Sequence, residues 1–282
     1  LTEPERRDRI VKQDVAWCPG CGNFPIRATL EKVLKELPVP ARNIVLTSGI
    51  GQAAKMPHYL PYSYFNGLHG RSLPLAVGIK LARPELTVIA VSGDGCHYGE
   101  GGNHFIHTIR RRLDITILIC DNKIYGLTKG QSSPTTDRGM QNALDPQGNL
   151  NTPFSPLAVA LAAGAPFVAR TFAGDPQHME RILRESILFK GPSVVDILQP
   201  CVSFNKVNTY AWYRERVYPL AEPLQDRQEA MRTADIWGDS IPIGIFWRDG
   251  QFVCREIKET FRKPVTEAAV ARLLNTKCIM MR

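Results

Sequence analysis

Three short stretches hold side chains whose types and spacing suit chemistry. The first is WCPGCG, where Cys18 and Cys21 form a CxxC with Pro19, Gly20 and Gly22 around them. Such a pair suits a zinc knuckle, a redox dithiol or half of an iron–sulfur site, and the motif alone does not choose among them. The second is SGDGC. Asp94 is a hard carboxylate in a glycine turn, and Gly93 and Gly95 let backbone amides come close to a phosphate. The third is CDNKIYG, where Asn122 offers a neutral side-chain oxygen and the Ile124 carbonyl can serve the same centre. Protein oxygens of this kind, completed by diphosphate oxygens, make an octahedral Mg²⁺ site. Cys201, in QPC, also sits beside a proline that can aim its thiolate.

These residues need a frame that brings them together. From about 25 to 200 the chain alternates apolar runs with amphipathic ones. NIVLTSGIG, LTVIAVSGDG and DITILICDN read as buried strands ending in polar or glycine turns, and PFVAR and PSVVDILQP as two more. PIRATLEKVLKEL, SLPLAVGIKLA, GNHFIHTIRRR, PLAVALAAG and DPQHMERILRESILFK read as helices. Strands without alternation, spaced by helices, predict an α/β fold with a doubly wound, mostly parallel sheet. Ligands in such sheets bind beyond the carboxyl ends of the strands, so SGIGQ, SGDGC and CDNKIYG should build the site. The polar stretch 126–155 predicts an excursion over the site or a contact between subunits. Residues 1–202 read as one domain. Residues 203–282 read as an irregular extension, with IGIFWRDGQFVC as a hairpin, packing on the main domain or on a partner.

Composition narrows the classes. The chain has 282 residues, 44% hydrophobic and 22% charged, enough for an ordinary core. No apolar run is long enough to span a bilayer and the first residues carry no apolar signal core, so a cytoplasmic protein without membrane contact is expected. The net charge of +8 suits acidic partners such as a phosphorylated cofactor or an acidic electron carrier. No basic run interleaves with aromatics, which argues against nucleic acid. Seven cysteines, an odd count, argue against a disulfide framework, and Cys96, Cys120, Cys254 and Cys278 read as small buried hydrophobes.

WCPGCGN, SGIG, FNGLHGR, GIKLA, GDG, DNKIYGLTKGQSSPT and DILQPC occur in this order. Together they resemble the β subunit of the 2-oxoacid:ferredoxin oxidoreductases over about residues 12–220. The resemblance implies a thiamine diphosphate-binding fold, with thiamine diphosphate, Mg²⁺ and a [4Fe-4S] cluster as cofactors. It also implies a separate α subunit, in an αβ or (αβ)₂ assembly. The implied reaction is oxidation of a 2-oxoacid with coenzyme A to acyl-CoA and CO₂, with electrons passed to ferredoxin, or its reverse. Carried over by position, Asp94, Asn122 and the Ile124 carbonyl match the Mg²⁺ ligands. Gly93, Gly95, Cys96, Gly126 and Leu127 match the surroundings of the diphosphate, and Ile50, Gly51, Gln52 and Ala53 the loop beside the thiamine. His69, in LHGR, matches a polar group near the cofactor, with a structural histidine as the alternative. Lys129, in LTKGQ, matches a lysine that holds the substrate carboxylate, with a solvated loop lysine as the alternative. The carboxylate that activates the cofactor comes from the α subunit in this family, so Glu100 reads as a charge near a helix N-terminus.

The chain departs from the family at one position. Cys18, Cys21 and Cys201 match three of the four cluster cysteines, but Gln52 stands where the fourth belongs. His58 and Cys96 are the replacements that proximity suggests. Two other functions follow if the cluster is gone: a thiamine-dependent 2-oxoacid lyase or acyl transferase, or a non-catalytic zinc-binding interaction subunit.

Overall fold

Runs of Val, Ile and Leu build strands that bury both faces. The computed structural model describes residues 14–142 and 144–257 with Thr266, Ala268, Ala271 and Arg272; Cys278 lies outside the described residues. The strands are β1 (Ile44–Ser48), β2 (Ser63–Asn66), β3 (Thr87–Gly93), β4 (Ile115–Asp121), β5 (Ile124–Tyr125), β6 (Gln131–Ser132), β7 (Phe167–Phe172), β8 (Ser193–Leu198), β9 (Val217–Pro219) and β10 (Ile241–Arg248). Eight of them form one sheet in the order β2-β1-β3-β4-β8-β7-β10-β9, while β5 and β6 pair separately. Every pairing in the large sheet is parallel except β7 with β10.

Side chains alternate between two cores. From β3, Ile89 and Val91 enter one core and Val88 and Ala90 the other. Helices α1 (Asn23–Glu36) and α5 (Pro176–Leu188) cover the first face, through Ile26, Leu30 and Val33 and through Met179, Ile182 and Leu183. Helices α2 (Ser72–Ala82), α3 (Gly102–Arg110), α4 (Pro156–Ala162) and α7 (Arg227–Ala234) cover the second. Pro176 opens α5 with the Asp175 carboxylate accepting from the His178 N–H, an N-terminal cap written in the sequence. The doubly wound, mostly parallel sheet is therefore as expected.

Two adjacent strands send the chain in opposite directions. After β1 it turns to the first face, where Ala53, Met56 and Leu60 are buried, and after β3 it enters α3 on the second face. The carboxyl ends of β1 and β3 thus flank a crevice, the place where open α/β sheets bind ligands.

The segment after 203 adds to the same sheet. A short helix, α6 (Tyr210–Arg214), buries Tyr213 against Phe172, Leu198, Ile241 and Ile243. The hairpin expected from IGIFWRDGQFVC does not form. The first arm is β10, and β9 already occupies part of the edge a returning arm needs. The returning residues bond Arg112 instead: its Nη2 donates to the Val253 carbonyl at 2.8 Å, and the Arg255 N–H donates to its carbonyl at 2.8 Å. Among the described residues no helix is long and apolar enough to cross a membrane.

Candidate active site

One cleft of about 450 Å³ lies at the crevice. Its lining is Ile50, Gly51, Gln52 and Ala53 from the loop after β1, His69, Gly93 to Cys96 after β3, and Asn122 with Ile124 to Thr128 after β4. Three loops distant in sequence meet because β1, β3 and β4 are neighbours in the sheet.

Backbone conformation opens this cleft. Gly51 has φ +131°, in the region that favours glycine, and faces open space. After Asp94 the chain makes a π-helical turn, Gly95–Glu100, a rare form frequent at functional sites. A side chain at Gly95 would stand 2.2 Å from the Tyr125 ring, so only glycine lets the two loops approach.

Asp94 is 1% exposed and tightly held. Its Oδ2 accepts from Ser133 Oγ at 2.5 Å and Thr135 Oγ1 at 2.8 Å. Thr135 Oγ1 also lies 2.7 Å from Asp121 Oδ1. A hydroxyl has one proton to give, so it satisfies one carboxylate at a time. Burial, and then the Asp121 carboxylate, push Asp94 up to about 8, against hydrogen bonds from Ser133, Thr135 and the Gly95 N–H. A cation beside Asp94 would relieve this repulsion. Asn122 and Ile124 line the same cleft, and Asn122 Oδ1 accepts from the Ile124 N–H at 3.1 Å. One buried carboxylate, an amide oxygen and a carbonyl fit a Mg²⁺ ion that keeps several other ligands.

The turn between Asn122 and Ile124 depends on Lys123, whose role no sequence motif discloses. Its φ is 60°, uncommon outside glycine. Its Nζ is buried, 3.1 Å from Asp137 Oδ1 and 3.9 Å from the centre of the Trp237 ring. Buried charge pairing holds the turn from behind.

His69 lines the cleft, with Nδ1 2.9 Å from Glu100 Oε2. Tyr125 OH donates to the same carboxylate at 3.3 Å. Glu100 closes the π-helical turn directly before the Gly101 N-cap of α3, near that helix's N-terminus as expected, and its carboxylate also anchors two residues of the lining. Lys129 is exposed, one residue past the lining, with a φ of 86°.

A second cleft, of about 380 Å³, adjoins the first. Cys18, Cys21 and Cys201 line it together with Trp17, Asn23, Gln199 and Phe204, and Gln52, Asn122 and Gly126 line both clefts. Burial, then the Cys201 and Cys18 thiols, push Cys21 up to about 11, against the hydrogen bond from the Asn23 N–H. Asn23 Nδ2 and Oδ1, Gln52 Oε1 and Gln199 Oε1 are buried without hydrogen-bond partners. Four such atoms beside three thiols fit a polar inorganic group between them. Among the described residues no three His, Cys, Asp or Glu side chains converge so as to hold a single metal ion. The two replacements suggested for the missing cysteine lie elsewhere. Cys96 is in the first cleft, its Sγ accepting from the Gly70 N–H at 3.3 Å, and His58 stacks on Tyr64.

Similarity to known proteins follows the same outline. Residues 47–197 match the family described as thiamine pyrophosphate enzyme, C-terminal TPP binding domain. Residues 201–263 match a family described as the C terminal of the pyruvate ferredoxin oxidoreductase beta subunit. The 2-oxoacid:ferredoxin oxidoreductase subunit beta of Saccharolobus solfataricus is 39% identical over 92% of this chain and 88% of its own. The 2-oxoglutarate oxidoreductase subunit KorB of Mycobacterium tuberculosis is 43% identical over 72% of this chain and 55% of its own. A solved 2-oxoglutarate:ferredoxin oxidoreductase from Magnetococcus marinus, with 2-oxoglutarate, coenzyme A and succinyl-CoA bound, superposes with a TM-score of 0.83 at 31% identity, covering 93% of each chain.

Proposed function

The chain belongs to the β subunits of the 2-oxoacid:ferredoxin oxidoreductases, and from that membership we propose how its two clefts divide the work. The first holds thiamine diphosphate with Mg²⁺, and the second a [4Fe-4S] cluster. The complex oxidises a 2-oxoacid with coenzyme A to acyl-CoA, CO₂ and a proton, giving one electron to each of two ferredoxins, or runs the reverse. The observation that carries this reading is the single cleft joining the loops after β1, β3 and β4 around buried Asp94. A non-catalytic zinc-binding subunit does not fit that family or that cleft.

When bound, thiamine diphosphate supplies the carbanion nucleophile and electron sink that decarboxylation of a 2-oxoacid requires. The chain's own residues hold and enclose it. Asp94 Oδ, Asn122 Oδ1 and the Ile124 carbonyl take the metal, and Ser133 and Thr135 fix the carboxylate. Gly93, Gly95, Cys96, Gly126 and Leu127 give the diphosphate close backbone approach, and Ile50, Gly51, Gln52 and Ala53 border the thiamine. Glu100 holds His69 by Nδ1 and leaves Nε2 for a ligand in the cleft. Lys129, strained and exposed at the rim, supplies a point charge for a substrate carboxylate. Cys18, Cys21 and Cys201 face the neighbouring cleft, a short path for electrons leaving the first.

Asp94→Ala tests the reading in the complex with its α subunit. Calorimetry should show loss of Mg²⁺-dependent thiamine diphosphate binding, and viologen reduction with a 2-oxoacid should fall about 100-fold or more. Unchanged thiamine diphosphate affinity in that variant would overturn the assignment of the first cleft.

A further inference from the structure

Gln52 lines the cysteine cleft and stands at the position where the resemblance to the family implies the fourth cluster cysteine. We propose that its side-chain oxygen takes the fourth iron of the cluster, so that the cubane has three thiolate-held irons and one labile iron. This rests on the reading that the second cleft holds a [4Fe-4S] cluster.

Three observations carry the proposal. Gln52 stands in the wall between the two clefts, and its Oε1 is buried without a partner. A buried amide oxygen left unpaired is uncommon, and calls for a group not accounted for by the protein. Second, position 52 is tied to the CxxC. Trp17 Nε1 donates to the Gln52 carbonyl at 2.8 Å, and Trp17 directly precedes Cys18. The indole is itself fixed edge-on between Phe24 and Tyr59. Residue 52 is thus held beside the thiols rather than free to withdraw. Third, the other two substitutes are engaged elsewhere, His58 against Tyr64 and Cys96 in the first cleft.

The chemistry of the donor sets the consequence. Four thiolates are the usual holders of such a cluster. An amide oxygen is harder than a thiolate and binds iron of this kind less firmly. The iron it holds should leave first on oxidation. In that step the [4Fe-4S]²⁺ cluster gives one electron to a ferricyanide-type oxidant and releases one Fe²⁺, leaving [3Fe-4S]⁺.

The test uses the anaerobically purified complex with its α subunit, in wild-type, Gln52→Cys and Gln52→Ala forms. Iron and sulfide are measured first, then ferricyanide is titrated while the paramagnetic three-iron signal is followed at low temperature. The wild type should lose one iron per β chain and develop that signal, with Gln52→Cys giving about tenfold less. Gln52→Ala should be isolated with three irons per β chain, as [3Fe-4S]⁰ after release of one Fe²⁺, and should give the full signal once ferricyanide takes one electron from that cluster. Absence of iron and sulfide would overturn the cluster reading and this inference together. A cluster that is present but converts equally in wild type and Gln52→Cys would overturn the role of Gln52 alone. So would a Gln52→Ala form that keeps its four irons while losing thiamine diphosphate affinity, since that places Gln52 on the first cleft.

Discussion

Asp94 and Asn122 carry an identifiable motif because their chemistry is local: a carboxylate in a glycine turn and an amide at the next strand end. The groups that make Asp94 usable are not local. Ser133 and Thr135 come from the long polar stretch after Gly126, whose residue pattern holds no register against Asp94. Lys123 reads as an ordinary residue between Asn122 and Ile124, yet its buried pairing with Asp137 holds the turn. Thr135→Val tests this scale. Removing its hydroxyl leaves Asp94 and Asp121 facing each other without the shared donor. The variant should lose about 1–3 kcal/mol of stability in denaturant titrations without cofactor. Part of that loss should return when Mg²⁺ and thiamine diphosphate are added, because the ion takes over the compensation.

Helices and strands are legible wherever period and caps agree. The strand of SGDG and the helix of GNHFIHTIRRR fall where their patterns put them, as β3 and α3. The π-helical turn between them is invisible in the sequence, since nothing in GCHYGE distinguishes it from an α-helical start. Its effect is specific: it sets Glu100 against His69 and Tyr125. The failed hairpin shows the converse, a good turn signal overruled because β9 and Arg112 offer other partners. Gly95→Ala tests the element. The added methyl collides with the Tyr125 ring, a displacement costing about 1–3 kcal/mol. Thiamine diphosphate affinity should fall about tenfold or more while far-ultraviolet circular dichroism stays unchanged. An unaltered affinity would mean that the close approach of the two loops is immaterial to binding.

At the scale of the molecule, the sheet decides both the site and its acid sensitivity. His97 is wholly buried between β3 and α3, with Nε2 2.8 Å from Ser72 Oγ and Nδ1 unpartnered. Burial pushes it down from 6.5 to about 3. The unfolded chain therefore binds more protons between those values. The stabilising contribution of neutral His97 is complete above about pH 6.5 and is lost as pH falls toward 3, by up to about 1.4 kcal/mol per pH unit. His97→Gln should flatten the acid limb of stability against pH relative to wild type, measured by denaturant midpoints. Parallel limbs would show that His97 is not held neutral. The sequence by itself determined the α/β class, the strand-end motifs and the three cysteines, because each rests on residue type and short-range order. Only the tertiary structure decided that CPGC, QPC and Gln52 line one cleft, and that this cleft shares a wall with the one around Asp94. Strand order brings those loops together, and strand order is fixed by how two cores pack on one sheet, which no short stretch of sequence contains. WCPGC and QPC are ambiguous as motifs; folded, their cysteines and Gln52 line one cleft.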